Sequence, residues 1–227
     1  LMRQTDGPAL PVKKFLIRTL ADAEKAAVRL RKAWALGSDP IRNLVEVLEG
    51  NGIHVLSVSA EQAFDGISAV GSVSVPPFKV AAVVVRSGLP GDRQRLSLGH
   101  ELGHLVLNVH PGVDVERAAF RFAGAFLAPA AAVRALVGER RSNVDVQELL
   151  FMKRHFGMSL AALVHRLGDL GIISQTEYRG WWLYLNAHGW RQVEPEPLMA
   201  ETPQWIRHTA LRARAEGLIS SSAASEL

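Results

Sequence analysis

Apolar residues recur every three or four positions along much of this chain, which is the spacing that predicts amphipathic helices. Ahead of residue 110 this pattern covers three segments, residues 19–36, 41–49 and 92–109. Three β-branched runs bounded by turn residues predict short strands over residues 53–58, 66–75 and 80–85. We expect these three strands to form one small sheet and to be the only β structure, so the pattern predicts an α+β fold.

The second half of the chain is almost entirely helical in pattern. Helices are predicted over residues 114–128, from residue 129, and over residues 146–156, 159–170, 174–187 and 203–216. Residues 1–18 show no clear period and read as an arm or linker. We therefore divide the chain into that arm, an α+β domain over residues 19–140 and a mainly helical region over residues 141–227.

Composition narrows the chemistry that the chain can carry. It has no cysteine, which excludes disulfides, thiolate metal sites and thiol nucleophiles, so any metal must be held by His, Asp or Glu. The formal net charge of +4 does not by itself imply nucleic-acid binding. Because no apolar stretch reaches membrane-spanning length and no signal peptide is recognisable, we expect a cytoplasmic protein without a membrane partner. The start at Leu1 suggests a fragment of a longer protein.

The third predicted helix carries the strongest motif, His100-Glu101-Leu102-Gly103-His104, with Asp92 as the expected cap of that helix. Four residues make about one helical turn, so both imidazoles project from one face and can share one metal ion. Glu101 is rotated off that face and can reach a water beside the metal. Such a carboxylate takes a proton from the water and delivers it to a leaving amine. The motif therefore predicts peptide hydrolysis.

Three residues beyond the motif are candidates for a third ligand: His110, Asp114 and Glu116. His110 has the spacing seen in metzincins, but Leu107 stands where that arrangement needs a glycine. Asp114 is better explained as the N-cap of the next helix. Glu116 begins an otherwise apolar helix stripe, so we expect a carboxylate aimed at the core and neutralised by the cation. Two imidazoles and a carboxylate suit Zn²⁺ better than Mn²⁺.

The residues around this motif resemble the ImmA/IrrE family of metallopeptidases, which are soluble bacterial and phage proteases. Residues 93–107 read RQRLSLGHELGHLVL, which is similar to the family's core helix. The second signature, an acid followed by Ala-x-x-Phe-Ala and Leu-x-Pro, is matched by Glu116, Ala119, Phe122, Ala123, Leu127 and Pro129. Residues 64–68 resemble the family's upstream hairpin. The sequence departs from the family pattern at Gly99, commonly Ala, at Arg86, usually Asn, and at Phe120, commonly Asn or His.

This resemblance implies a zincin-like fold in which His100, His104 and Glu116 bind zinc and Glu101 is the general base. It also implies a substrate, a repressor of the XRE type whose cleavage releases genes for stress response or toxin–antitoxin control. Full-length relatives often carry an XRE-type DNA-binding domain, so DNA would be reached through a domain or partner that is not present here. The residue that stabilises the oxyanion is open among Tyr178, Tyr184 and His110.

A second hypothesis is that the protein is a non-proteolytic regulator or toxin–antitoxin component that binds DNA or a repressor through its helical C-terminal part. Residues 146–167 resemble a helix-turn-helix with glycine in the turn. Its second helix offers only Ser159, His165 and Arg166 as polar contacts, so packing is favoured over base reading. The aromatic cluster of Trp181, Trp182, Tyr184 and Trp190 fits core anchoring better than repressor recognition.

Overall fold

The structure is a computed structural model, and it describes residues 12–74 and 77–220. The strands are β1 (Phe15–Ile17), β2 (Ile53–Val58), β3 (Gly66–Ser74), β4 (Pro77–Arg86) and β5 (Leu107–Val109). The helices are α1 (Leu20–Ala33), α2 (Leu44–Gly50), α3 (Gly91–Val106), α4 (Val115–Leu127), α5 (Ala130–Val137), α6 (Val146–Phe156), α7 (Leu160–Asp169), α8 (Gln175–Ala187) and α9 (Trp205–Ala215). The predicted α+β fold with a helical C-terminal region is confirmed. The predicted domain division at residue 140 stays a prediction.

The three predicted strands form one mixed sheet in the order β2-β4-β3. Strand β2 runs parallel to β4, with Ile53 opposite Ala81, and β3 pairs antiparallel with β4, with Gly66 opposite Val85. Buried side chains alternate along β2 and β4, as expected for strands with one face on the core. Because β3 pairs with β4 alone among the described strands, its other edge is open.

A second sheet of two short strands corrects the expectation that the chain holds no other β structure. Strand β1 lies parallel to β5, with Phe15 opposite Leu107 and Ile17 opposite Val109. Phe15 and Ile17 are buried, so this part of the predicted arm belongs to the core. The first eleven residues of that arm lie outside the described residues. Helix α3 ends at Val106 rather than near residue 109 because Leu107 turns extended and joins β5.

Helix α3 runs through the middle of the molecule and packs against α4 at very short range. A Cβ added to Gly103 would lie 3.1 Å from Ala119 Cα, and one added to Gly99 would lie 3.3 Å from Ala123 Cβ. The glycine at position 99, a departure from the family pattern, therefore fits a backbone approach that leaves little room for a side chain. On the other side of α4, Arg166 of α7 binds Glu24 of α1 with two hydrogen bonds of 2.6 and 2.7 Å.

Residues 190–204, which we call the C-terminal strap, return across the start of α3. The Gly91 N–H donates to the Leu198 carbonyl at 2.7 Å, and Glu201 forms a buried ion pair with Arg95. A strap, rather than a side-chain cap, therefore closes this helix end. Asp92, expected to cap α3, is instead buried beside Lys153, and that prediction is wrong because Pro90 is the N-cap residue.

No single helix among the described residues has the length and apolar character of a membrane span. Helices α4 and α5 reach that threshold only when taken together, across a bend of 58°.

Candidate metal centre

Two imidazoles meet on the side of α3 that faces the cleft, one turn apart. The Nε2 atoms of His100 and His104 lie 2.9 Å from each other, and the two rings are close to perpendicular. Burial, followed by the charge of His104, lowers the pKa of His100 below its ordinary value. A neutral imidazole is the form that ligates a metal, so the surroundings of His100 favour the ligating state.

Glu116 completes the cluster from the first turn of α4. Its Oε2 lies 3.1 Å from His100 Nε2, and its Oε1 lies 3.3 Å from His104 Nε2. Asp114 positions this turn as the N-cap, accepting from the Arg117 N–H at 3.0 Å, which confirms the prediction for Asp114. The close packing of α3 on α4 sets the distance between the imidazoles and the carboxylate.

The expectation that Glu116 is aimed into the core is wrong. Its side chain is 65% exposed, and Phe120, one turn further along α4, is 53% exposed. The core-facing stripe of α4 is made of Ala119, Phe122 and Ala123, and Glu116 lies at its rim beside the cleft. Phe120 packs on the His100 ring, with 4.1 Å between the ring centroids. This apolar side chain therefore contacts the imidazole and does not enter the core.

The spacing of these donor atoms can be compared with what a zinc ion requires. A tetrahedral shell with bonds of about 2.0–2.1 Å spaces its donor atoms about 3.3 Å apart. The three measured separations, 2.9, 3.1 and 3.3 Å, come within a few tenths of an ångström of that value. The donor set therefore fits a zinc ion.

Glu101 lies on the other side of the imidazole pair, against the sheet. It is buried, and one ligand atom from each of His100, Glu101 and His104 falls within 4.8 Å of the others. A Cβ on Gly66 of β3 would lie 3.3 Å from Glu101 Cγ, so glycine at this position lets the Glu101 side chain lie close to the strand. Glu116 contacts both Nε2 atoms, whereas Glu101 sits between the pair and the open edge of β3. The arrangement favours Glu116 as the ligand and Glu101 as the base.

A cleft of about 1270 Å³ opens over this cluster. One wall is α3, α4 and the start of β3, and the other is α7, α8 and the C-terminal strap. Tyr178 lines the cleft, and its hydroxyl lies 2.7 Å from His165 Nδ1. Tyr184 instead stacks on His188, and His110 contacts the Pro111 carbonyl, so neither lines the cleft.

Sequence reasoning missed two features of this cleft. The pair of His165 and Tyr178 joins two helices at a spacing of 13 residues, which no local periodicity connects. Lys153, in the last turn of a predicted helix, is fully buried and binds Glu194 at 2.8 Å together with Asp92. The apolar neighbours of Lys153 in α6 predict its burial only weakly. The two acids that neutralise it, Asp92 and Glu194, lie far away in sequence.

The helix-turn-helix-like pair uses its polar residues inside the protein. Gly157 takes the left-handed turn conformation, and Ser159 caps α7 by accepting from the Ala162 N–H. His165 is held by Tyr178, and Arg166 is buried against Glu24. These contacts support packing as the role of α7.

A family comparison covers the centre of the chain. Residues 71–168 match the family model Peptidase_M78, described as the IrrE N-terminal-like domain. This segment includes His100, Glu101, His104 and Glu116. No curated protein matches the chain.

Proposed function

We propose that this protein is a zinc-dependent endopeptidase, since residues 71–168 match the model of the IrrE N-terminal-like domain of a metallopeptidase family. The observation that carries the proposal is the convergence of His100 Nε2, His104 Nε2 and the Glu116 carboxylate, with Glu101 buried beside them. This ligand set leaves a fourth position for water, as catalytic zinc sites require.

Each residue of the site has a separate role in hydrolysis. His100, His104 and Glu116 would hold the zinc ion, which would supply Lewis acidity toward the water and the substrate carbonyl. Glu101 accepts a proton from the attacking water as its oxygen bonds to the carbonyl carbon. Glu101 then delivers that proton to the amide nitrogen as the carbon–nitrogen bond breaks. Tyr178, the one predicted oxyanion residue that lines the cleft, is the candidate donor to the carbonyl oxygen.

The open edge of β3 offers a place for the substrate backbone. Residues 66–68 line the cleft next to Glu101, and they pair on one side only with β4. An extended peptide can add to such an edge through main-chain hydrogen bonds. The substrate that the family resemblance suggests is a regulatory protein, an XRE-type repressor in the cytoplasm, with DNA contacted through a domain or partner outside this chain.

Glu101→Gln tests the proposed mechanism directly. The amide is nearly isosteric but cannot accept the proton, so we expect hydrolysis of a repressor or peptide pool to fall by about 10²–10⁴-fold. Cleavage is followed by mass spectrometry of the products, and the zinc content of the variant should equal that of the wild type. A variant that cleaves as fast as the wild type would show that Glu101 is not the base.

Metal content tests the ligand assignment. We expect about one zinc ion per chain in the wild type and loss of most of it in His100→Ala and in Glu116→Gln, because each removes one of three protein ligands. His110→Ala is the matched control, since this histidine lies outside the cleft. Inductively coupled plasma mass spectrometry measures the content. Equal zinc in all four proteins would contradict the assigned site.

A further inference from the structure

Most charged side chains that line the cleft are neutralised by ion pairs within the protein. These pairs are Arg121 and Arg166 with Glu24, Arg121 with Asp169, Lys153 with Asp92 and Glu194, and Arg86 with Asp65. The carboxylates of Glu101 and Glu116 belong to the metal centre. The acids of the cleft are therefore already engaged.

Three arginines that line the same cleft have no acidic partner among residues 12–74 and 77–220: Arg93, Arg117 and Arg191. All three are exposed. The Arg191 guanidinium lies 5.2 Å above the Trp182 ring, a contact that holds it on the far wall. These three guanidinium groups are therefore available to contact a ligand in the cleft.

Arg93 is the most informative of the three because its position is unfavourable. It lies in the first turn of α3, where the helix dipole disfavours a cation. Arg95, in the same turn, is compensated by its ion pair with Glu201. No such partner offsets the charge of Arg93 in the described part of the chain, and its side chain borders the cleft. An acidic ligand that enters the cleft can supply an anion at this position.

The position of Arg93 also indicates where that anion lies. Arg93 and His100 are seven residues apart, so they share one face of α3 and are separated by about 10 Å along the helix axis. An extended peptide advances about 3.3 Å per residue. We infer that the cleft binds a peptide segment rich in acidic side chains, with one carboxylate facing Arg93 about three residues from the scissile bond. This inference rests on the proposed function, and Arg117 and Arg191 receive further acids of the segment.

Binding is measured first, because it does not depend on cleavage. Fluorescein-labelled decapeptides that differ only in Asp or Asn at several positions are titrated against the full chain of the Glu101→Gln variant, loaded with zinc. We expect the Asp peptides to bind about three- to fivefold more tightly for each arginine contacted, and the difference to shrink with added salt.

Charge reversal then identifies the contact. Adding Arg93→Glu should reduce the preference for Asp by at least the three- to fivefold of one arginine contact, whereas adding Arg140→Glu should leave it unchanged, because Arg140 is exposed and lies outside the cleft. Equal binding of Asp and Asn peptides overturns the inference. It is also overturned if Arg140→Glu removes the preference as completely as Arg93→Glu.

Cleavage by the wild type separates this inference from the proposed function. In a peptide pool with Asp placed at each position in turn, we expect enrichment of Asp about three residues from the cut, and its loss at that position alone in Arg93→Glu. Cleavage without any such enrichment supports the endopeptidase and overturns the acidic preference. Binding preference without cleavage supports the acid-binding cleft and contradicts the endopeptidase.

Discussion

Lys153 shows how much a single buried charge matters in this protein. Its ammonium group has no exposed surface and is shared by the carboxylates of Asp92, at the start of α3, and Glu194, in the C-terminal strap. Lys153→Met would leave two acids without their cation in a water-poor site. We expect the free energy of unfolding in urea to fall by about 3–5 kcal/mol.

The neighbouring Arg154 provides a matched control for that measurement. It forms an exposed ion pair with Glu196 at 2.5 Å, so Arg154→Met should cost no more than about 1 kcal/mol. Similar decreases in the free energy of unfolding for the two variants would show that burial of Lys153 does not increase its contribution to stability.

At the same scale, the sequence predicted which side chains come together more accurately than it predicted how exposed each side chain is. The spacing of His100 and His104 follows from helical geometry alone, and the cap at Asp114 follows from its residue type. The exposure of Glu116 could not be predicted, because an apolar stripe does not tell whether its first residue lies over the core or at a rim. The partner of Lys153 likewise depends on contacts 61 residues away.

At the scale of elements, the contact between α3 and α4 sets the geometry of the metal centre. A Cβ at position 103 would meet Ala119 Cα at 3.1 Å and the Ala119 carbonyl oxygen at 3.3 Å, and backbone atoms cannot rotate away. Gly103→Ala should therefore push α4 outwards and carry Glu116 with it. We expect a loss of about 1–3 kcal/mol in stability together with weaker zinc binding, measured by urea unfolding and chelator competition.

Gly180→Ala is the control for this substitution. Position 180 lies in exposed helix α8 with no atom within 4 Å of an added Cβ, so alanine should stabilise the protein by up to about 1 kcal/mol. A stabilised Gly103→Ala variant with unchanged zinc affinity would show that the helices can separate without disturbing the ligands.

The elements themselves were predictable wherever the apolar pattern extends over several turns or alternations. Helices α6 and α7 and the three-stranded sheet match the expectation within a few residues. Strands β1 and β5 were missed because three residues carry too little pattern. Each is stabilised by a partner about 90 positions away, which a local reading of the sequence does not include.

At the scale of the whole molecule, Glu24 links α1 to α7 by binding Arg166, 142 residues further along. Burial opposes its ionisation, but hydrogen bonds and charge from Arg166 and Arg121 outweigh burial and hold the pKa of Glu24 below its ordinary value. A carboxylate with a lowered pKa in the folded state stabilises the protein above its unfolded pKa, and that contribution is lost as pH falls through the folded value.

We therefore expect the free energy of unfolding to decline between about pH 5 and pH 3, with a shallower decline in Glu24→Gln. Urea unfolding at a series of pH values measures both slopes. Glu139→Gln is the control, because Glu139 forms an exposed pair with Arg134 and should leave the slope unchanged. Parallel curves for the wild type and Glu24→Gln would contradict the role given to Glu24.

The C-terminal strap also has a consequence for the order of events during synthesis. Gln94 of α3 exchanges hydrogen bonds with Glu201, 107 positions later. A nascent chain thus presents the His100 motif to the cell long before Leu198 and Glu201 have been translated. Until then the Gly91 N–H and the Arg95 guanidinium lack the partners that close the first turn of α3. The far wall of the cleft and the closure of the first turn of α3 can therefore form only after the strap has been synthesised.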